Sequence, residues 1–190
     1  MSDSGETPTG TDASGWWQTD ENDEVATAPK LWRPIAERIG GFDLDPAAGV
    51  EPTPIAEQRY TKADDGLAQP WYGTVWLNPP FSEKTPWYRR LVKFYNAGEV
   101  DRAVAVATVD PSADWFHNWF ATADELVFLD GRDWYLGHGS SPSFSTMLGA
   151  WNPTPDLSAW FETKGTVAVP RADDAQTTLT DDYDTDTDDT

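Results

Sequence analysis

Leu31, Ile35 and Ile39 recur at spacings of four, which puts them on one face of a helix over residues 29–39, and Gly40-Gly41 closes it. The period then shortens. Residues 42–44 read as a short strand that runs into the turn Pro46-Ala47-Ala48-Gly49. Thr53 before Pro54 pairs an N-cap with proline at the first helical position, so a helix is expected over residues 55–60. Residues 74–77 are strand formers that stop at Asn78-Pro79-Pro80, because proline cannot donate to a ladder. A helix over 86–97 ends at Gly98. The run 103–109 is nearly all apolar, the pattern of a strand buried on both faces of a parallel sheet. A helix over 113–120 follows, then strands over 125–129, 144–151 and 166–169, the last suited to an edge. Alternating strands and helices predict an α/β sheet with crossover connections. Ligands of such sheets collect beyond the carboxyl ends of the strands, where the turns at Asp45 and Asn78 fall.

Composition adds two ends of a different kind. The chain has 190 residues, enough for one domain, with 33 acids against 13 bases and a net charge of -20. Residues 1–24 hold seven acids and no base, and residues 173–190 hold eight and no base. The body, residues 25–172, keeps 18 acids and 13 bases and is only mildly acidic. Neither end carries enough apolar area to offset chain entropy, so both read as disordered acidic tails, with Trp16-Trp17 a docking point in the first. Asp outnumbers Glu 23 to 10, and Arg outnumbers Lys eight to five. That balance fits a halophile whose interior salt screens repulsion to a Debye length of ~3 Å at 1 M. Two acidic tails on an ordinary domain fit it as well.

The absence of cysteine excludes a disulfide framework, a thiolate metal site and a cysteine nucleophile. It makes the cytoplasm the expected location. No apolar run approaches the ~18 to 20 residues that span a bilayer, and the first residues are acidic and polar where a secretion signal is basic and then apolar. His117 and His138 have no ligand-like spacing and read as structural or surface residues, so no metal is expected.

The segment Val75-Trp76-Leu77-Asn78-Pro79-Pro80-Phe81 carries the clearest chemistry. A buried strand delivers an amide, two rigid residues and an aromatic ring to one sheet edge. Pro80 offers no amide proton and biases Pro79 towards an extended backbone with its carbonyl free. The Asn78 side-chain oxygen and the Pro79 carbonyl can then accept both hydrogens of an exocyclic amino group, and Phe81 offers a face for a flat heterocycle, a contact of ~1 to 3 kcal/mol per base. The plainer alternative is a strand-ending turn in which Asn78 caps the chain and Phe81 fills the core.

Asn78-Pro79-Pro80-Phe81 resembles the [D/N/S]-P-P-[Y/F/W] motif of S-adenosyl-L-methionine-dependent amino methyltransferases. The wider pattern is similar to the small Dam-type DNA adenine-N6 methyltransferases of phages and proviruses. Thr27-Ala28-Pro29 resembles the Thr-Pro element before the first helix, with Ala28 interposed. Phe42-Asp43-Leu44-Asp45-Pro46-Ala47-Ala48 is similar to the cofactor turn, and Asp65-Gly66-Leu67 with Trp71 to the stretch before the Asn-Pro-Pro strand. Leu129-Asp130-Gly131-Arg132 and Pro142-Ser143-Phe144 resemble the downstream part, so the likeness spans residues 25–152. It implies a Rossmann-like methyltransferase sheet, reduced in size because only 32 residues separate Asp45 from Asn78, too few for two full βα units. Gly49-Val50-Glu51 also lacks the second glycine of a G-x-G turn.

The resemblance implies catalytic roles for Asn78, Pro79, Pro80 and Phe81, and cofactor roles for Thr27, Asp43, Asp45, Pro46, Ala47 and Asp65. Asp45 suits the ammonium and sulfonium of S-adenosyl-L-methionine, Asp65 its ribose diol. Capped turns explain the three aspartates otherwise, and helix capping explains Thr27. Lys84, Arg89, Arg90 and Lys93 form the densest basic group, and on a helix the last three share a side suited to the backbone of double-stranded DNA. A solvated helix face is the alternative there. The activity implied is methylation of adenine N6 in DNA. Cytosine N4 presents a similar amine. A non-catalytic DNA-binding module with a decayed cofactor turn, and an acidic protein acting through its tails, are rivals of other classes.

Overall fold

The structure is a computed structural model and describes residues 26–49, 54–132, 134–135 and 144–170. Both acidic ends, Thr53, Glu51, His138 and Pro142-Ser143 lie outside the described residues.

Helix α1 (Pro29–Ile39) buries Leu31, Trp32 and Ile35 and ends at Gly40, whose φ of 84° is the left-handed cap that glycine takes without strain. Strands β1 (Phe42–Asp45), β2 (Ala56–Arg59) and β3 (Gly73–Leu77) follow, then α2 (Lys84–Asn96) and β4 (Val100–Thr108). Next come α3 (Asp114–Asn118), a 3-10 turn (Phe120–Thr122), β5 (Glu125–Leu129), β6 (Thr146–Trp151), α4 (Pro155–Phe161) and β7 (Gly165–Ala168). All seven strands form one sheet in the order β2-β1-β3-β4-β6-β5-β7. The first four run parallel, β6 is antiparallel to β4 and β5, and β7 closes the edge antiparallel to β5. This is the α/β sheet that the pattern predicted, in the Rossmann-like form that the resemblance implied.

The sheet is covered on both faces. Successive side chains of β4 alternate between them: Ala103, Ala105 and Ala107 face one core, Val104 and Val106 the other. The alanine side leaves room for Tyr88, Trp115, Phe120 and Trp151, which meet largely edge to face. The valine side packs under α1 and α4 with Leu31, Ile35, Trp76, Leu148, Leu157 and Phe161. Among the described residues, no helix is long and apolar enough to cross a membrane.

Two expectations need correction. Residues 55–60 are not helical: Ala56–Arg59 is strand β2, with Phe42 paired to Ala56, Leu44 to Gln58 and Asp45 to Arg59. A helix this short makes few internal bonds, whereas the free edge of β1 offers partners for the backbone of the whole segment. The interval between Asp45 and Asn78 is reduced in its connections, which hold β2 and turns with no helix among the described residues, while the sheet keeps seven strands. Helix α4 went unanticipated, although Thr154 caps it by accepting the Leu157 amide at 3.2 Å and Pro155 opens it.

Candidate active site

The strand order reverses between β1 and β3, because β2 lies on one side of β1 and every later strand on the other. The two strands are parallel, with Leu44 level with Val75, so their chains leave at the same end of the sheet. A crevice at that point is the usual ligand position of such folds. Here it is a cavity of about 620 Å³, within the ~300 to 1,000 Å³ of small-molecule sites. Asp45, Pro46, Ala47, Ala48 and Gly49 line it from the first turn, Asn78 and Pro80 from the second, and Thr27 from the approach to α1.

The first turn is stitched to its neighbours. Tyr60 N–H donates to the Asp45 carbonyl at 2.9 Å, and Ala48 N–H donates to the Tyr60 carbonyl at 3.0 Å. Gly66 lies so close to Pro46 that a Cβ there would sit 1.9 Å from the Pro46 carbonyl oxygen. Trp71, fully buried, fixes Gly66 by donating its indole N–H to the Gly66 carbonyl at 2.8 Å. The segment between is folded locally: the Thr61 amide and hydroxyl both donate to Asp64 Oδ2, which holds the Asp64 carboxyl below its usual range. Asp65, with φ 51°, stands exposed at the rim of the cavity.

Asp45 is 4% exposed. Burial raises its pKa from 3.8 to about 7, against the opposing pull of the Ala47 amide and the Arg59 charge. Its Oδ1 accepts the Ala47 N–H at 3.2 Å. A nearby cation would favour the ionised form of such a buried carboxyl. Asp43 serves differently. Its Oδ2 accepts the Thr74 amide at 2.7 Å and lies against Gly73, tying β1 to the start of β3 away from the cavity.

Beyond the last pair of β3 with β4, Leu77 with Ala105, the chain enters the proline turn. Asn78 and Pro80 are half-buried in the cavity wall, and Pro79 is buried between them. Phe81 does not line the cavity. It packs against Tyr135 and Phe144 with near-perpendicular rings, centroids 5.7 and 5.3 Å apart. Tyr135 in turn pairs with Thr27 through a backbone bridge, and Ala28 N–H donates to the Trp134 carbonyl at 2.8 Å. Thr27 is thereby buried in the wall, with no hydrogen-bond partner for its Oγ1 among the described residues.

The basic group divides. Arg89 and Lys93 are exposed one turn apart on α2. Arg90 turns inward, donating to the Gln69 carbonyl and lying 4.6 Å over the Phe94 ring. Lys84 donates to Thr108 Oγ1 at 3.1 Å and sits 4.9 Å over Trp115. Reading the sequence also missed Tyr60, Lys62, Trp76, Glu83 and Trp87, all in the cavity wall. For Trp76 a signal existed, since it stands two places before Asn78 on an alternating strand. Among the described residues, no three His, Asp or Glu side chains are grouped to hold a metal ion.

The cavity thus joins the buried carboxylate of Asp45 to the side-chain amide of Asn78, with Pro79 buried behind its wall. The model of the DNA N-6-adenine-methyltransferase (Dam) family matches residues 16–143, which include the whole cavity wall. No curated protein matches the chain.

Proposed function

The chain belongs to the DNA N-6-adenine-methyltransferase (Dam) family, an enzyme family that methylates adenine N6 in DNA, and from that premise we propose how its residues divide the work. The family draws its methyl group from S-adenosylmethionine, which supplies a carbon made electrophilic by sulfonium. Asp45 receives the ammonium end of that donor in its ionised form, and Pro46 and Ala47 let the backbone of the turn come close. The small side chains there and the close packing of the Gly66 backbone on Pro46, which holds the turn in place, support this placement. Asp65, at the rim, accepts from the ribose.

Asn78 and Pro79 act on the adenine. The base leaves the duplex, as base-modifying enzymes require, at a cost of a few kcal/mol. The Asn78 side-chain oxygen and the Pro79 carbonyl accept the two N6 hydrogens and leave the nitrogen lone pair directed at the methyl carbon. Pro80 keeps that carbonyl extended, and Phe81, braced by Tyr135 and Phe144, supplies a stacking surface beside it. Orientation and exclusion of water provide the acceleration, and the surplus proton passes to water after transfer. No side chain forms a covalent bond to the substrate.

Arg89 and Lys93 take the phosphate backbone of double-stranded DNA. The acidic composition suits work in concentrated salt in the cytoplasm, where stacking and shape replace charge as the main source of DNA affinity. One observation carries the reading of the site: the Asp45 turn and the Asn78 turn open into the same cavity at the reversal of strand order. Labelled-methyl transfer to unmodified DNA in molar potassium chloride, followed by digestion to nucleosides, tests it. Label is expected in N6-methyladenine with the native enzyme and absent with Asn78→Ala; equal labelling by both proteins refutes the role of Asn78.

A further inference from the structure

Trp76 is a fully buried side chain of the cavity wall that carries a polar hydrogen, and its indole Nε1 has no acceptor among the described residues. An N–H withdrawn from water without an acceptor loses its full hydration, which native interiors seldom tolerate without a purpose. Thr27, 1% exposed, presents a second such group in the same wall. Both belong to the α1 face of the sheet: Trp76 packs in the core under α1 with Tyr135, and Thr27 is bridged to Tyr135.

The strand register adds the third member. Leu44 is level with Val75, so Asp45 comes level with Trp76 on the neighbouring strand. A carboxylate beside two uncommitted donors matches a zwitterion, an ammonium and a carboxylate held on one carbon. Other hydroxyls of the wall are committed elsewhere: Tyr60 donates to the Pro70 carbonyl and Thr61 to Asp64. Trp87 belongs to α2, on the opposite face. Resting on the reading that Asp45 takes the ammonium of the methyl donor, we infer that Trp76 Nε1 and Thr27 Oγ1 bind its α-carboxylate. Trp76 is then a binding residue as well as a core residue, and the cavity selects amino-acid-bearing nucleosides over truncated ones.

The test is calorimetric binding of two product analogues to the full chain in molar potassium chloride. S-adenosylhomocysteine has both amine and carboxylate; S-adenosyl-3-thiopropylamine has the amine alone. The native protein is expected to prefer the first by roughly tenfold or more, the scale of a hydrogen bond to a charged group. Trp76→Phe keeps a ring and removes the N–H, and should erase most of that preference while leaving thiopropylamine affinity within about twofold. Thr27→Val, of nearly the same shape, should reduce the preference to a lesser degree and serves if Trp76→Phe does not fold. Equal loss of both ligands in the variants, or no preference in the native protein, overturns the inference. Native protein that binds neither analogue overturns instead the placement of the methyl donor in this cavity.

Discussion

The electrostatics of Asp45 give the sharpest physical prediction. Its folded pKa stands near 7 against 3.8 for an ordinary carboxyl, chiefly through burial. A shift of about three units corresponds to about 4 kcal/mol. The sign follows from proton binding: between pH 4 and 7 the folded chain keeps a proton on Asp45 that the unfolded chain has released. This contribution is therefore fully present below pH 4, declines as pH rises through 7, and is constant above. Asp45→Asn removes it, so the variant minus native stability should grow over that window, by up to roughly 10 °C in melting temperature for a chain of this size. An ammonium ligand reverses the balance by favouring the ionised form. Affinity of the native protein for S-adenosylhomocysteine should weaken about tenfold for each pH unit below 7 and level off above, while the Asn variant binds weakly with little pH dependence. Thermal melts and calorimetry from pH 4.5 to 8.5 in molar potassium chloride measure both. Parallel melting curves for the two proteins, or a native affinity unchanged from pH 5 to 8, would refute the argument.

Three further outcomes are expected. Asn78→Ala should abolish methyl transfer, read as label in DNA, and leave S-adenosylhomocysteine affinity within about threefold, because the acceptor it removes faces the base. Gly66→Ala places a Cβ 1.9 Å from the Pro46 carbonyl; the backbone must move, lowering stability by ~1 to 3 kcal/mol in denaturant titration and weakening cofactor binding with it. Replacing Arg89 and Lys93 together by Glu should weaken DNA binding at low salt across all sequences and lower the slope of log K against log salt by about one for each phosphate no longer neutralised, with cofactor affinity unchanged.

Much of this architecture was legible because local signals and tertiary partners agreed. The four-residue spacing in α1, closed by Gly40, gave that helix its observed bounds, and the apolar run in β4 announced a central strand. The paired threonine and proline show where local signals fail. Thr154-Pro155 opens a helix that buries Leu157 and Phe161, while the segment after Pro54 becomes a strand. The dipeptides are identical, and the free edge of β1 decides the second case through hydrogen bonds that no short window contains.

The site was legible at its two turns, where Asp45-Pro46 and Asn78-Pro79-Pro80 carry their own chemistry. Residues brought from elsewhere were not. Tyr60 enters through the β2 pairing, Trp87 from α2, and Gly66 by close approach to Pro46. Spacing along α2 grouped Arg89, Arg90 and Lys93, but Trp71 and Phe94 draw Arg90 inward by offering aromatic faces beside the Gln69 carbonyl. Asp43 and Asp45, two places apart, looked equivalent in sequence. One ties two strands together and the other is buried in the cavity wall.

The most direct measurement is a crystal structure of the enzyme with S-adenosylhomocysteine and a DNA duplex containing its target adenine. The cofactor product should fill the cavity with its amine at Asp45, and an extrahelical adenine should place N6 within hydrogen-bond distance of both Asn78 Oδ1 and the Pro79 carbonyl. A cofactor bound outside the crevice between β1 and β3, or an adenine whose amine meets neither acceptor, would contradict the account.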